Sequence, residues 1–392
     1  MTGLQEQIRP GIDRIQPYVP GLTDDELSRK YGLKRVIKLN ANENALGPSP
    51  LALKAIQREL AVLHHYPDGG SRLLRDEIAE FHQVTVEQVL VGNGSDDIIK
   101  LLSETFLNPG DEIVVPAPSF SQYNFGAAVM QAKVIQVPLG PGFEYDVSGL
   151  ADAVTDRTKL LYLCSPNNPT GTYLRHADAL WLLERLPAQV IVVVDLAYND
   201  FSNKPDRLIE TPELLSDPRV VALHTFSKLY GLAGLRVGYG LAHPDVWSYV
   251  HRVREPFNVN RVAQRAAAAA LEDVQHVAAS QQLVYESREQ FLSWAKRHGV
   301  EAIPPEGNFI LMKTGDAKWT TERLMERGVM VRAGFAGLDE YVRITFGTRE
   351  ENDFCLAQLE GVLGQVAEVQ SHNATSVISY KLPPRSVSVG GE

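Results

Sequence analysis

Apolar residues along this chain recur with two different periods, and the change from one to the other outlines the architecture. Residues 51–63 and 71–83 read as helices, the second with Leu73, Leu74, Ile78 and Phe81 at helical spacing. From residue 89 onward, short and almost wholly apolar runs alternate with helical stretches. The runs are VLV (89–91), EIVV (112–115), KLLYLC (159–164), VIVVVD (190–195), VVALHTF (220–226) and LRVGYGLA (235–242). Between them lie DDIIKLLSETF (96–106) and a helix around 176–186. Buried strands separated by helices predict an α/β fold with a mostly parallel central sheet and helices on both faces.

The two ends carry a different signal. Near the start, Thr23 and Glu26 have capping-box spacing and predict a short helix, followed by a strand at VIKLN and the polar turn ANENALGPSP. After one helical stretch from about Val262 to His298, whose run Ala266–Ala270 reads as a close-packed helix, come NFILMKT (308–314), GVMVRA (328–333) and YVRITFGT (341–348). These strands around one helix predict a smaller α+β domain. The expected division is a large domain at 45–265 and a small one assembled from 1–44 and 266–365. Residues 371–392, rich in Ser, Val and Pro, show no helical period and read as a flexible tail. No internal repeat is visible.

Composition narrows the class without naming it. Of 392 residues, 44% are hydrophobic and 22% charged, which excludes a mostly disordered chain. No run approaches the roughly 18–20 apolar residues of a membrane helix, and the opening lacks a basic-then-apolar signal pattern. The expectation is a cytoplasmic protein without a membrane partner. The formal charge of −10 argues against nucleic acid. Two cysteines, Cys164 and Cys355, cannot build a disulfide framework or a thiolate zinc site.

Ligands of α/β sheets bind beyond the carboxyl ends of the strands, so the polar residues there carry the functional information. VGNGSDD runs from strand through glycine turn to helix, where free N–H groups suit a phosphate. An ordinary turn capped by Ser95 is the competing reading, and Asp96 and Asp97 would repel a phosphate unless they point away. A nucleotide loop is disfavoured because neither a Walker lysine nor a full G-x-G-x-x-G is present. SPNNPTG presents the Asn168 amide or is merely a proline-braced turn. Asp195 directly follows five apolar residues, so it needs a cation or hydrogen-bond donors, whether as a helix cap, an arginine partner or a ligand contact. In HTFSKLYGLAGLR, Lys228 follows an apolar strand and precedes glycines, where a desolvated amine can form Schiff bases. A lysine on its own would nearly always be a solvated surface residue. Together the four segments match the needs of pyridoxal phosphate: an amine, an acid for the ring nitrogen, phenolate donors and a phosphate cradle.

These segments, with PYVPG (17–21), YPDGGSRLLRDEIA (66–79), VREPFNVN (253–260) and VRITFGTREEN, make the chain resemble the fold-type I pyridoxal-phosphate aminotransferases from about Arg9 to Val362. Within them it resembles the histidinol-phosphate aminotransferases. The resemblance implies that Lys228 is the Schiff-base lysine, Asp195 the ring-nitrogen partner, and Asn168 and Tyr198 the phenolate contacts. It places Gly94, Ser95, Thr225, Ser227 and Arg236 around the phosphate and Phe120 against the ring, where relatives often have tyrosine. Tyr66 would reach the cofactor of a neighbouring subunit, implying a homodimer with shared sites. Arg343 would grip the substrate carboxylate and Arg332 the substrate phosphate, with Tyr18 and Asn42 bordering the pocket. Bland alternatives remain: surface charges for the two arginines and a packing aromatic for Tyr66. His224 reads as a packed or capping histidine. His64 and His65 lack clustered partners, and no metal is expected.

The implied reaction passes the amino group of histidinol phosphate to 2-oxoglutarate. Aromatic amino-acid transamination, phosphoamino-acid decarboxylation and a pyridoxal-phosphate-sensing regulator are the alternatives. The regulator would need a basic DNA-binding module that these 392 residues do not contain. A Rossmann dehydrogenase would leave Lys228 unexplained.

Overall fold

Seven strands form the central sheet in the computed structural model, which describes residues 3, 6–17 and 21–377. In chain order the strands are β1 Ile37–Lys38, β2 Val89–Gly92, β3 Glu112–Ala117, β4 Lys133–Pro138, β5 Thr158–Cys164, β6 Ile191–Asp195, β7 Val220–Thr225 and β8 Gly238–Ala242. Further on lie β9 Ala302–Ile303, β10 Phe309–Lys313, β11 Val329–Met330 and β12 Tyr341–Thr345. The central order is β2-β8-β7-β6-β5-β3-β4. Pairs β4/β3, β3/β5, β5/β6 and β6/β7 are parallel, and β8 runs antiparallel to both β7 and β2.

Period-two alternation sorts this sheet's side chains into two cores. Val91, Leu161, Leu163, Val192, Val194 and Ala222 face one way, while Leu90, Leu160, Tyr162, Val193, Val221 and Leu223 face the other. The helices involved are α1 Asp24–Tyr31, α2 Pro50–Glu59, α3 Arg72–His82, α4 Ser95–Phe106, α5 Ser121–Val129, α6 Val147–Asp152 and α7 His176–Arg185. They continue as α8 Pro212–Ser216, α9 Pro244–Val250, α10 Arg261–Leu271, α11 Val274–His298, α12 Ala317–Glu326 and α13 Arg349–Val377. The first core is covered by α3, α7, α10 and α11, the second by α4, α5 and α9. Both faces of the sheet are therefore dry, which is why its strands are continuous apolar runs.

Several local expectations meet specific physical outcomes. The capping box at α1 forms: Glu26 N–H donates to Thr23 Oγ1 at 3.3 Å, and Thr23 N–H donates to Glu26 Oε2 at 2.8 Å. The helical stretch 262–298 is two helices, because Asp273 caps α11 through His276 N–H while also accepting from Ser49 and Leu51 on α2 and its cap. The alanine run lies in α10, packed on α2. Only two residues each of VIKLN and GVMVRA are strand, and these two pieces pair in parallel, Ile37 with Val329 and Lys38 with Met330. β10 pairs antiparallel with β9 and β12. The last helix continues to Val377, seven residues into the stretch expected to lack helix, since the first proline there is Pro383. Residues 378–392 lie outside the described residues.

Candidate active site

The carboxyl ends of β2, β3, β5, β6 and β7 all open on one side of the sheet, into a cavity of about 770 Å³. On β6, alternation turns Asp195 toward the same face as Val193, and the carboxylate stands at the cavity wall, 3% exposed. Tyr123 O–H donates to Asp195 Oδ2 at 2.7 Å, and Ala197 N–H donates to Oδ1 at 3.1 Å. Among the described residues no cation pairs with it. Burial lifts its pKa to about 6, against the two donors that favour the anion. A buried carboxylate without its cation is suited to receive one.

Lys228 stands across the cavity after β7, half-buried, its Nζ donating to Ala41 O at 3.0 Å and lying 5.7 Å from the centre of the Tyr198 ring. Burial, and then the nearby Arg343 charge, bring its pKa down to about 8. The amine is thus available as a neutral base or nucleophile at moderately alkaline pH. Tyr198 O–H sits between two amides, Asn42 Nδ2 at 3.0 Å and Asn168 Nδ2 at 3.4 Å. Both amides donate, so the phenol oxygen accepts from them and its own proton is free for a ligand oxygen.

At the amino end of α4 the chain leaves a hollow. Gly94 has φ +85°, and a Cβ there would fall 2.7 Å from the Arg236 guanidinium. Gly238 on β8 would place a Cβ 2.7 Å from Ser95 N and 2.8 Å from His224 O. Ser95 is the first residue of the helix, with Gly94 rather than Ser95 as its cap. The hollow therefore faces free N–H groups, Ser95, Thr225, Ser227 and Arg236. Asp97 turns away, accepting from Asn93 N–H at 2.9 Å and Asn258 Nδ2 at 3.0 Å. Asp96 does not: it pairs with Arg236 at 3.1 Å and lines the cavity.

Opposite the hollow, Arg343 is 6% exposed on β12. It donates to Asn168 Oδ1 and, at 2.8 Å, to Asn40 O, while its buried Nε has no partner among the described residues. Arg332 is exposed, and the two arginines exchange backbone hydrogen bonds of 3.0 and 2.7 Å. Asn42 is anchored by Thr345, whose Oγ1 receives Asn42 N–H at 2.9 Å and donates to Asn42 Oδ1 at 3.0 Å.

The cavity thus brings together Asn42, Ser95, Phe120, Asn168, Asp195, Tyr198, Thr225, Ser227, Lys228, Arg236, Arg332 and Arg343, with the Gly94 backbone against Arg236. It does not include Tyr66, which is 78% exposed and stacks on Phe257 at 4.8 Å beside a separate depression of about 640 Å³. Tyr18 lies outside the described residues. Tyr123 lies in the first turn of α5, three residues after its cap Phe120, and carries no sequence signal of its own. Their rings meet edge-on at 5.6 Å. The backbone carbonyls of Asn40 and Ala41 left no sequence signal at all.

A mostly parallel sheet with a lysine, a buried acid and an anion hollow at its strand ends is an arrangement that suits a pyridoxal-phosphate enzyme. Residues 34–359 match the family model described as aminotransferase class I and II, and the chain belongs to that family. It is similar to histidinol-phosphate aminotransferases: 42% identical over 361 residues to that of Symbiobacterium thermophilum, spanning 91% of this chain and 99% of the relative. For Moorella thermoacetica the identity is 43%, over 91% of this chain and 92% of the relative. The crystal structure of the Sinorhizobium meliloti histidinol-phosphate aminotransferase in complex with pyridoxal-5′-phosphate superposes with a TM-score of 0.85. That pair is 27% identical and covers 92% of this chain and 98% of the other.

Pyridoxal phosphate is the cofactor of this class, and the residues present fit it. The glycine hollow at α4 admits a phosphate that a Cβ would exclude, and Asp195 offers a buried anion with no cation beside it among the described residues.

Proposed function

We propose that this chain transfers the amino group of histidinol phosphate to 2-oxoglutarate, with pyridoxal phosphate in the cavity described above. The observation that carries the reading is the pairing of buried Arg343 with exposed Arg332, both lining the cavity and joined by a backbone bridge. Two cations side by side suit two different anions, the carboxylate of the keto acid and the phosphate of the donor. The similar histidinol-phosphate aminotransferases support the same donor, which belongs to histidine biosynthesis.

When bound, the cofactor supplies an aldehyde for the substrate amine and an electron-withdrawing ring for the charge left when the α-proton departs. The chain's part is to position and to move protons. Asp195 offers its carboxylate to the protonated ring nitrogen, and Tyr123 and Ala197 N–H hold that carboxylate in place. Lys228, with its lowered pKa, accepts the α-proton and returns it. Tyr198, Asn168 and Asn42 meet the phenolate side. Arg343 exchanges its neutral acceptors, Asn168 Oδ1 and Asn40 O, for a carboxylate in a two-point, charge-assisted contact.

We also place the enzyme in the cytoplasm as a homodimer in which Tyr66 reaches the partner's cofactor phosphate. Two observations support this reading. Tyr66 is held out from the surface against Phe257, and among the described residues no helix is long and apolar enough to cross a membrane. The test of the function is kcat/KM for histidinol phosphate, phenylalanine and O-phosphothreonine, each with 2-oxoglutarate. Histidinol phosphate is expected to lead. A higher value for phenylalanine, or decarboxylation of the phosphoamino acid, overturns the assignment.

A further inference from the structure

On the sheet face opposite the Asp195 carboxylate, three potential ligand side chains from separate parts of the chain converge. His82 ends α3, His224 lies near the end of β7, and Glu210 sits in the loop leading into α8. Their nearest ligand atoms all lie within 4.8 Å of one another. His82 Nδ1 is 3.1 Å and His224 Nε2 3.6 Å from the same oxygen, Glu210 Oε1. All three are largely covered, with side-chain exposures of 7%, 8% and 17% for His82, His224 and Glu210.

We propose that His82, Glu210 and His224 form a binding site for one divalent transition-metal ion, with Zn²⁺ the best match, bracing the sheet beneath the cofactor hollow. A tetrahedral zinc with bonds of about 2.0–2.1 Å sets its ligand atoms about 3.3–3.4 Å apart. The two histidine–carboxylate edges, 3.1 and 3.6 Å, bracket that spacing, and the histidine–histidine edge lies within 4.8 Å. Two imidazoles and a carboxylate form a donor set that suits zinc and leaves a fourth position for water.

The hydrogen bonding around the cluster points the same way. His224 is 6% exposed, and among the described residues its buried Nε2 makes no hydrogen bond, with Glu210 Oε1 just out of range at 3.6 Å. With its proton on Nδ1, the His224 ring turns the Nε2 lone pair toward the carboxylate and the second imidazole, as a metal ligand requires. His82 also has an outer partner: its Nε2 lies 2.8 Å from Tyr239 O–H. Donation from Nε2 to that oxygen leaves Nδ1 as the bare ligand atom. Tyr239 pairs with His224 across β7 and β8 and stacks on its ring at 4.8 Å, so the same residue orients both histidines. Glu210, the most exposed of the three, marks the side from which an ion enters. Bound there, the ion joins α3, the loop before α8 and β7, one residue from Thr225 of the phosphate hollow.

The competing arrangement is a purely hydrogen-bonded His–Glu–His network, and metal titration separates the two. Cofactor-loaded protein is stripped with a chelator, desalted and titrated with Zn²⁺ by calorimetry, then with Co²⁺ to read its visible d–d bands. One ion per chain is expected, with tetrahedral-type Co²⁺ bands that Zn²⁺ displaces. At 100-fold excess over the dissociation constant, the melting midpoint should rise by about 3 °C. Tyr239→Phe should weaken binding by about 10–100-fold, and His82→Gln and Glu210→Gln should abolish it. Retained cofactor absorbance shows that each variant is folded; if His82→Gln is not, Glu210→Gln, in the loop before α8, decides alone. Absence of saturable binding, or binding that persists in a folded His82→Gln or Glu210→Gln, overturns the proposal.

Discussion

Replacing Asp195 by asparagine should make the cofactor-free protein more stable while disabling the enzyme. Burial raises the carboxyl from 3.8 to about 6 in the folded chain. At about 1.4 kcal/mol per unit, holding it ionised at neutral pH costs about 3 kcal/mol of folding stability. The folded form binds its proton more tightly than the unfolded form, so this stability is intact below about pH 4 and is lost as pH rises through 6. Asparagine keeps the shape and both contacts, because its oxygen can face Ala197 N–H and its amide can donate to Tyr123, whose hydroxyl accepts as readily as it donates. With an unfolding entropy of about 2.1 cal/mol/K per residue, 3 kcal/mol is worth about 3–4 °C in this 392-residue chain.

The assay is thermal melting of cofactor-stripped wild type and Asp195→Asn at pH 7.5 and pH 4.5. The variant should melt about 3–4 °C higher at pH 7.5, and the gap should shrink to about 1 °C at pH 4.5, where the folded carboxyl is already protonated. Turnover with cofactor restored should fall by about 100-fold or more, as when a preorganised charge is removed from a reacting site. A variant no more stable than wild type at pH 7.5, or an equal gain at both pH values, refutes the argument that this acid is stored at a cost for the ring nitrogen.

Two further outcomes follow from the same electrostatics. In the cofactor-free protein, an amine-reactive reagent should label Lys228 with a pH midpoint near 8, and Arg343→Gln should move that midpoint upward by removing a neighbouring cation; peptide mass spectrometry that places it near 10.5 would refute the desolvated site. Arg332→Gln should lower kcat/KM for the phosphorylated donor more than for glutamate, and equal losses for the two substrates would show that Arg332 does not select the phosphate.

Much of the site was legible because a charged residue at the end of an apolar strand has few bland explanations. Asp195 after VIVVV and Lys228 after VVALHTF both stand in the cavity, as do Asn168, Phe120 and Arg236. What stayed hidden depends on contacts across long stretches of chain. Tyr123 meets Asp195 across 72 residues, Asn42 meets Thr345 across 303, and Arg343 meets Asn168 across 175. No local period encodes such pairs. β4 has no such local signal because it is an edge strand whose Lys133, Gln136 and Pro138 are exposed, so it lacks the apolar run of the central strands. His82, Glu210 and His224 carry no spacing signal, since three separate elements deliver them.

Periodicity and residue type, which are local, determined the alternation of buried strands and helices and the kinds of group at the strand ends. Only the tertiary structure decided what those groups became. Burial draws the Lys228 amine down to about 8 and lifts the Asp195 carboxyl to about 6, and the backbone bridge sets Arg332 beside Arg343. A side chain's charge state depends on the solvent it loses and the charges it meets, and both are properties of the folded chain rather than of its neighbours in sequence.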